Sequence, residues 1–451
     1  MLKLLFTMGL VVGCILLACS SRTATPLPTV SPDQHIIFHN GTILTMDEAV
    51  PVAEAIAIKG EKITAVGSNT DILAQQQVGI IAVDLNGRTL MPGFVDAHTH
   101  LFNDAEQYFD MSLEEVQQIA LQNGITTIGD MYIDERFLRE MQAFAPALRI
   151  RTSLYLVMTD NCGEVLGDWY SEYPATRNPG EMLRIGGVKI FTDGGTCERP
   201  ALSYELRPDE GLGDLFHSQA ALNEMVLAAQ TAGYQVAIHA IGDRAVEQAQ
   251  NAIATALAGQ PNSYRHRIEH NSVIRPDLLP RYGEIGIIPV VFGLYPNCNP
   301  FGPPPPPEYQ AWEWPYRALL DANPGLQVVW HGDDPFFGRV RPLDDLYSLI
   351  TRADVDAEGN ICPAADWHQA HTISAAEALP MMTINGAYAL FREEEVGSLA
   401  VGKYADLIVL PDNPLAVTPE RLVEMDVQLT MVGGRVEFCA LPETLCQTFG
   451  Q

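Results

Sequence analysis

Short apolar runs alternate with amphipathic stretches through the middle of the chain, a pattern typical of βα units around a parallel sheet. Eight runs are predicted to be strands: Leu90–Val95, Ile125–Ile128, Ile150–Leu156, Gly187–Phe191, Gln235–Ile238, Arg267–Glu269, Gly286–Val291 and Gln327–Trp330. Helical patterns lie between most of them, including Leu113–Gln122, Gln219–Ala232, Asp243–Leu257 and Ser374–Leu390. Eight such units predict a TIM (β/α)8 barrel, whose chemistry sits at the carboxyl ends of its strands.

The two ends of the chain share a different texture, made of short β-type segments separated by glycine turns. The N-terminal segments are Ile36–Phe38, Ile43–Met46, Ala55–Lys59 and Lys62–Gly67, and the C-terminal ones are Asp406–Leu410 and Gln428–Phe438. We therefore expect a small β-sandwich composed of both chain ends, from residues 34–90 and 396–440. The barrel then spans residues 91–395, and residues 441–451 form a C-terminal tail.

The first residues carry a targeting signal. The apolar run from Leu4 to Leu17 is shorter than the roughly 20 residues that a spanning helix needs, and it matches a signal-peptide core. It ends in Leu-Leu-Ala-Cys19, which resembles the lipobox of bacterial lipoproteins. We expect a signal peptide over residues 1–18, lipidation of Cys19, a tether over residues 19–33, and an extracytoplasmic protein anchored to a membrane. The alternative is an ordinary signal peptide with an incidental cysteine.

Composition and charge exclude some classes of partner. The 451 residues, 47% of them hydrophobic, can bury a large core with an accessory domain. The 27 Lys and Arg residues face 56 Asp and Glu residues, a net charge of −29 that repels nucleic-acid phosphates and anionic lipid headgroups. We expect a small-molecule substrate, no nucleic acid, and membrane contact through the lipid anchor alone. The oligomeric state stays open.

Six cysteines follow Cys19, and none forms a CxxC pair, so a cysteine zinc site has little support. In an oxidising compartment they can pair. Cys439 and Cys446 are the easiest local pair, and the remaining connectivity stays open. The other four cysteines are Cys162, Cys197, Cys298 and Cys362.

Polar residues at the predicted strand ends carry the chemistry. His98 and His100 follow the first strand at spacing i, i+2, so in an extended chain both rings point to one face and can chelate one metal ion. Lys189 lies between two apolar residues of the fourth strand and points oppositely to them, into the barrel mouth or to solvent at its rim. Burial would favour its neutral amine, which can take up carbon dioxide as a carbamate. The alternative is a lysine paired with a carboxylate.

Three further residues occupy equivalent positions on other strands. His239 ends the fifth strand, His270 ends the sixth, and Asp333 follows the eighth. Singly, each histidine fits a hydrogen-bonded core residue and Asp333 fits a helix cap. Together with the first and fourth strands they fall at one end of a single barrel, which indicates a metal centre.

This constellation resembles the amidohydrolase superfamily, in particular the branch that includes N-substituted formamide deformylase. The resemblance covers roughly Ile36 to Phe438 and rests on the segments PGFVDAHTH from Pro92, VKIFTDGG from Val188, HAIGDRAV from His239, RIEH from Arg267 and GSLAVGKYAD from Gly397. It implies one or two divalent ions, usually zinc. The implied ligands are His98, His100 and Asp333 for the more buried ion, His239 and His270 for the second, and carboxylated Lys189 as the bridge.

The chain departs from that branch in three ways. The segment between His100 and the second strand is short, which predicts a wider substrate pocket. His331-Gly332-Asp333 stands where relatives usually have Gly-Ser-Asp, placing an extra imidazole near the site. Pro303–Pro307 predicts a stiff surface loop, with part of a lid as the alternative.

The function implied is hydrolysis of a non-peptide amide-type C–N bond by metal-activated hydroxide, with Asp333 passing a proton from water to the leaving nitrogen. Substrate-binding or ligand-supporting candidates are Asp193, Asp243, Arg244 and His331, although Asp243 and Arg244 also fit a structural role at a helix start. Alternatives are an esterase or deaminase on the same scaffold, a catalytically degenerate solute-binding lipoprotein, and a purely structural surface protein. Lys189 argues against a deaminase, and the complete ligand set argues against the last two.

Overall fold

The structure, a computed structural model, describes residues 31, 34–295, 297–298, 300, 303–336 and 339–449. The predicted signal peptide, Cys19 and most of the predicted tether lie outside these residues. Among the helices that are described, none combines the length and hydropathy that a membrane crossing requires.

The core of the molecule is an eight-stranded parallel sheet whose strands follow one another in chain order. Its strands are β1 (Phe94–Thr99), β2 (Ile125–Ile133), β3 (Arg151–Val157), β4 (Leu183–Phe191), β5 (Gln235–Ala240), β6 (Arg267–His270), β7 (Ile288–Phe292) and β8 (Val329–His331). The chain after β8 meets β1, because the Asp333 amide donates to the His98 carbonyl at 3.3 Å and the His100 amide to the Asp334 carbonyl at 2.8 Å. The predicted TIM barrel is confirmed.

Helices cover the outside of the barrel, and strand alternation separates two cores. Val188 and Ile190 of β4 pack outward into the large core shared with the helices, so Lys189 between them points into the barrel. The α-helices after β1 are Ala105–Phe109, Leu113–Gln122, Glu135–Phe144, Gln219–Thr231, Asp243–Leu257, Arg281–Ile285, Tyr316–Ala322, Pro342–Thr351, Ala375–Met381, Ile384–Ala389, Pro419–Glu424 and Glu443–Thr448.

Both chain ends build two further sheets that pack around one apolar core. One contains, in spatial order, Lys62–Gly67, Ala55–Lys59, His35–His39 and Ile81–Asp84. The other contains Arg435–Cys439, Leu429–Val432, Leu407–Leu410, Thr89–Pro92, Thr42–Leu44 and Val52–Ala53. A buried, two-pronged ion pair joins them to the barrel, because the Arg151 guanidinium of β3 donates to Asp406 at 2.7 and 3.1 Å.

Several predicted bounds differ from the structure, and three of these differences have a clear physical reason. The apolar run Leu90–Val95 is divided between two sheets. Thr89–Pro92 is a sandwich strand that pairs with Leu407–Leu410, and β1 of the barrel begins only at Phe94. Gly93 makes the change of sheet possible, since a side chain there would collide with Thr126. The predicted helix Ser374–Leu390 is two helices that break around Thr383, whose φ of −137° and ψ of −94° are not helical. The predicted strand from Gly286 begins at Ile288, because Gly286 caps the preceding helix with φ 78°.

Six cysteines form three disulfide bonds. The predicted pair Cys439–Cys446 is confirmed. Cys162–Cys197 and Cys298–Cys362 link loops whose neighbouring residues border the large cavity described below.

Candidate metal centre

His98 is one of two predicted ligands, with Lys189, that are completely buried. It lies inside β1 rather than after it, and its side chain is fully buried. Its Nδ1 lies 2.6 Å from Glu269 Oε2. Because an ionised carboxylate only accepts hydrogen bonds, Nδ1 carries the proton and Nε2 keeps its lone pair. The ring is thus oriented with a free nitrogen ligand toward the barrel mouth.

The Asp333 carboxylate faces that lone pair. Its Oδ1 lies 3.2 Å from His98 Nε2 and 3.5 Å from His100 Nε2, and its Oδ2 lies 3.9 Å from His270 Nδ1. Oδ1 is buried and accepts no hydrogen bond from the described residues. Two lone-pair carriers this close repel each other unless a proton or a positive charge offsets the repulsion, and a metal ion or the nearby Lys189 ammonium can supply that charge. His98, His270 and Asp333 form a group that fits a metal ion, and imidazole with carboxylate is a donor set that suits zinc.

Lys189 enters the same space from β4. Its Nζ lies 3.4 Å from His98 Nε2, and the side chain is fully buried. Among the described residues no carboxylate lies within ion-pair distance of its Nζ, although the negative charges of Glu269 and Asp333 act to raise its pKa. Burial lowers the pKa of Lys189 to about 8, which leaves part of the amine neutral near physiological pH.

His239 lies beside this group rather than within it. Its ring centre is 4.5 Å from that of His270, but its Nε2 lies 3.1 Å from the Gly194 carbonyl and 3.7 Å from Asp193 Oδ1. Burial lowers the pKa of both His239 and His100 to about 3. Both imidazoles are therefore neutral at physiological pH, as metal ligation requires.

His331, the imidazole that departs from the family pattern, ends β8 and is fully buried against His98 and His270. Its ring centre lies 4.8 Å from that of His98 and 5.0 Å from that of His270. Neither of its ring nitrogens has a hydrogen-bond partner in the described part of the chain. The structure therefore places His331 in contact with the centre.

The other predicted supporting residues hold the surrounding loops. Asp193 accepts hydrogen bonds from the backbone amides of Ala201, Ile241 and Gly242. Asp243 accepts from the Ser203 amide at 2.8 Å and from Arg275 Nη1 at 3.3 Å. Arg244 Nη1 donates to the Gly213 carbonyl at 3.2 Å and does not line the main cavity. Asp243 and Arg244 therefore tether loops, whereas only Asp193 comes near a predicted ligand.

Glu269 and Arg267 were not predicted to contribute to the site. The Arg267 guanidinium donates to both Glu269 oxygens at 2.6 Å, and Glu269 in turn holds His98. All three side chains are fully buried. The sequence Arg-Ile-Glu-His could have indicated this pair. Arg267 and Glu269 are two residues apart in a barrel strand with apolar Ile268 between them, so both charged side chains must point inward.

A cavity of about 1330 Å³ opens above the centre, and His100, His239, His270 and Asp333 line its floor. The Pro303–Pro307 segment contributes three prolines to its wall. Aromatic residues line much of the remainder, among them Tyr108, Tyr132, Phe191, Phe292, Phe336 and Trp367. The arrangement can hold a small organic molecule against a cation and a carboxylate.

Comparison with known proteins gives concordant results. A model of the amidohydrolase family matches residues 82–130 and 105–438. Protein LONG AFTER FAR-RED 3 of Arabidopsis thaliana is 24% identical over 92% of this chain and 93% of its own. N-substituted formamide deformylase of Arthrobacter pascens is 27% identical over 57% of this chain, which spans 46% of that enzyme. The fold matches an uncharacterized metal-dependent hydrolase of Pyrococcus horikoshii with a TM-score of 0.69, 18% identity, and coverage of 86% of this chain and 99% of that one.

Proposed function

The chain belongs to the amidohydrolase family, and on this premise we propose that it is a metal-dependent hydrolase that cleaves a non-peptide amide-type C–N bond of a small molecule. One observation carries the proposal: His98 Nε2 and Asp333 Oδ1 face each other at 3.2 Å with no hydrogen bond between them, and Asp333 lines the large cavity.

We assign the ligands as the family pattern suggests. His98, His100 and Asp333 would hold the more buried ion, His239 and His270 would hold a second ion, and a carboxylated Lys189 would supply a ligand to both. The short distances around His98 and Asp333 support the first ion. The second requires His239 to exchange its contact with the Gly194 carbonyl for the metal.

The residues then divide the reaction between them. When bound, the divalent ion supplies hydroxide at neutral pH and polarises the scissile carbonyl. Burial raises the pKa of Asp333 to about 7, and a carboxylate next to the attacking water can accept and release a proton. We assign to Asp333 the transfer of a proton from the attacking water to the leaving nitrogen. Glu269 keeps the Nε2 lone pair of His98 aimed at the centre.

Substrate screening tests the proposal. The deformylase relative suggests N-substituted formamides as the first class to try, followed by other N-acyl amines, cyclic amides and esters. We expect zinc-loaded protein to hydrolyse at least one amide class and chelated protein to hydrolyse none. Hydrolysis of esters alone, or equal activity with and without metal, would contradict the proposal.

Lys189→Ala tests the carbamate bridge. Without the bridge, the second ion should be lost more readily than the first, and short carboxylic acids should partly restore it. Metal content is measured by elemental analysis, with Lys59→Ala as the control because Lys59 is exposed on the sandwich. An unchanged metal count in Lys189→Ala would refute the bridge.

We further propose that the protein works outside the cytoplasm, held to a membrane by a lipid on Cys19. Three disulfide bonds, which pair every cysteine after Cys19, support an oxidising compartment. The lipobox-like sequence before Cys19 supports the anchor.

A further inference from the structure

Glu313 lies on the cavity wall above the metal centre and has no role in the proposed reaction. Its segment pairs with the chain that follows β6: the Ile274 amide donates to the Trp312 carbonyl at 2.9 Å, and the Trp314 amide to the Ser272 carbonyl at 2.7 Å. Three residues from His270 to Val273 span at most about 11 Å. Glu313 pairs with Val273 across about 5 Å, so its Cα lies within about 16 Å of that of His270.

Hydrogen bonds hold the Glu313 carboxylate in place, but only one of its two oxygens accepts them. Its Oε2 lies 3.1 Å from Trp367 Nε1 and 3.2 Å from His368 Nε2. Among the described residues Oε1 has no hydrogen-bond partner, and no lysine or arginine forms an ion pair with the side chain, which is 17% exposed. A carboxylate offers about four acceptor positions, so roughly half remain for a ligand. A largely enclosed negative charge without a cation is costly, and a cationic ligand would offset that cost.

Aromatic rings surround this carboxylate. Trp367 donates to it, the Trp314 ring centre lies 5.3 Å from that of its other partner His368, and both tryptophans line the cavity with Glu313. Tyr204 also lines the cavity, and its ring centre lies 6.2 Å from that of Trp312, the residue before Glu313. Aromatic faces attract cations, most strongly where water is excluded. A carboxylate among aromatic rings is the chemistry that recognises an organic ammonium group.

The wider cavity has the same charge preference. Five of its lining residues outside the proposed metal ligands are acidic: Asp104, Asp134, Glu198, Glu210 and Glu313. Three are arginines, and two of these, Arg199 and Arg207, pair with Glu210. With the net charge of −29, this field concentrates cations at the cavity mouth.

We propose that Glu313, with Trp314, Trp367 and Tyr204, forms a subsite for a cationic amino group on the part of the substrate remote from the scissile bond. The inference rests on the proposed function, because it names the substrate class of that hydrolase. The subsite selects amides that carry a distal ammonium group over neutral or anionic amides of the same length.

The test uses three sets of formamides and acetamides of increasing chain length that end in an ammonium, a hydroxyl or a carboxylate group. With wild-type protein, kcat/KM should be highest for the ammonium set. Glu313→Gln keeps an oxygen for Trp367 and His368 but removes the charge. It should lower kcat/KM for the ammonium amides by about 10- to 100-fold, mainly by raising KM. This factor corresponds to the loss of one charge-assisted hydrogen bond. For the hydroxyl amides it should change kcat/KM by less than about twofold.

Glu308→Gln, in the same loop but exposed and outside the cavity, is the matched control and should leave both sets unchanged. Equal wild-type kcat/KM for ammonium and hydroxyl amides would overturn the subsite, as would equal losses for both sets in Glu313→Gln. If no amide is hydrolysed, the proposed function fails and calorimetry decides the subsite separately. Tighter wild-type binding of the ammonium amide, abolished by Glu313→Gln, would support it, and equal binding of both amides would overturn it.

Discussion

Replacing Glu269 with Gln should weaken metal binding although Glu269 is not itself a ligand. Glu269 Oε2 lies 2.6 Å from His98 Nδ1, and both carboxylate oxygens accept from Arg267 at 2.6 Å. The amide keeps the shape of the side chain but has one oxygen in place of two. Either Arg267 or His98 then faces an NH2 group, and His98 loses the acceptor that fixes its proton on Nδ1.

The magnitude follows from burial. Removal of a carboxylate that orients a ligating histidine typically lowers metal affinity by about 10- to 100-fold, or about 1.4 to 2.7 kcal/mol. Leaving the fully buried Arg267 charge without its partner costs about 3 to 5 kcal/mol of folding free energy. Glu269→Gln should lose both metal affinity and folding stability. Breaking an ion pair remote from the site can lower folding stability but not metal affinity.

Glu437→Gln provides that comparison. Glu437 is nearly buried in the sandwich and pairs with Arg149 and Arg435, away from the metal centre. Zinc affinity is measured by competition with a chromophoric chelator, and stability by urea unfolding. Both variants should lose stability, but only Glu269→Gln should lose zinc affinity. Wild-type zinc affinity in folded Glu269→Gln would refute the claim that Glu269 positions His98.

Three further predictions concern other parts of the molecule. Asp333→Asn should lower the rate of amide hydrolysis at least ~10²-fold and should slow hydrolysis of an activated ester less. His331→Ala should lower the rate of amide hydrolysis by a smaller factor. A wild-type rate of amide hydrolysis in Asp333→Asn would show that Asp333 takes no part in the reaction. Mass spectrometry of the mature N-terminus should find a diacylated or triacylated Cys19, which an unmodified terminus or cleavage elsewhere would contradict. Burial lowers the pKa of His266 to about 4. Neutral His266 therefore contributes its full stability above pH 6.5, and the free energy of unfolding should fall by up to about 3 kcal/mol as the pH drops toward 4. Urea unfolding at several pH values should show wild type losing this stability relative to His266→Gln, and a pH-independent difference would contradict it.

The barrel could be predicted because its strands are buried on both faces and therefore form continuous apolar runs between amphipathic helices. The same property caused the error at β1. Residues 90–95 are apolar because the strand Thr89–Pro92 is buried in the sandwich and Phe94 begins the barrel. Hydrophobicity alone does not distinguish one buried sheet from another.

The site was predictable where a side chain falls at a strand end and less so where long-range contacts decide its role. His98, His100, Lys189 and Asp333 converge because parallel strands end at one face of a barrel. Asp243 and Arg244 follow the same rule in sequence, yet their side chains turn to the loops around Ser203 and Gly213. Sequence spacing does not contain those contacts.

Metal content and metal-dependent hydrolysis, measured on one gently purified sample, test the central claim most directly. We expect about one to two equivalents of zinc or a similar divalent ion per chain, as a single or paired hydrolytic site holds. Chelation should abolish amide hydrolysis, and added zinc should restore it together with the bound metal. A protein that binds no metal and gains no amidase activity from added metal would contradict the account.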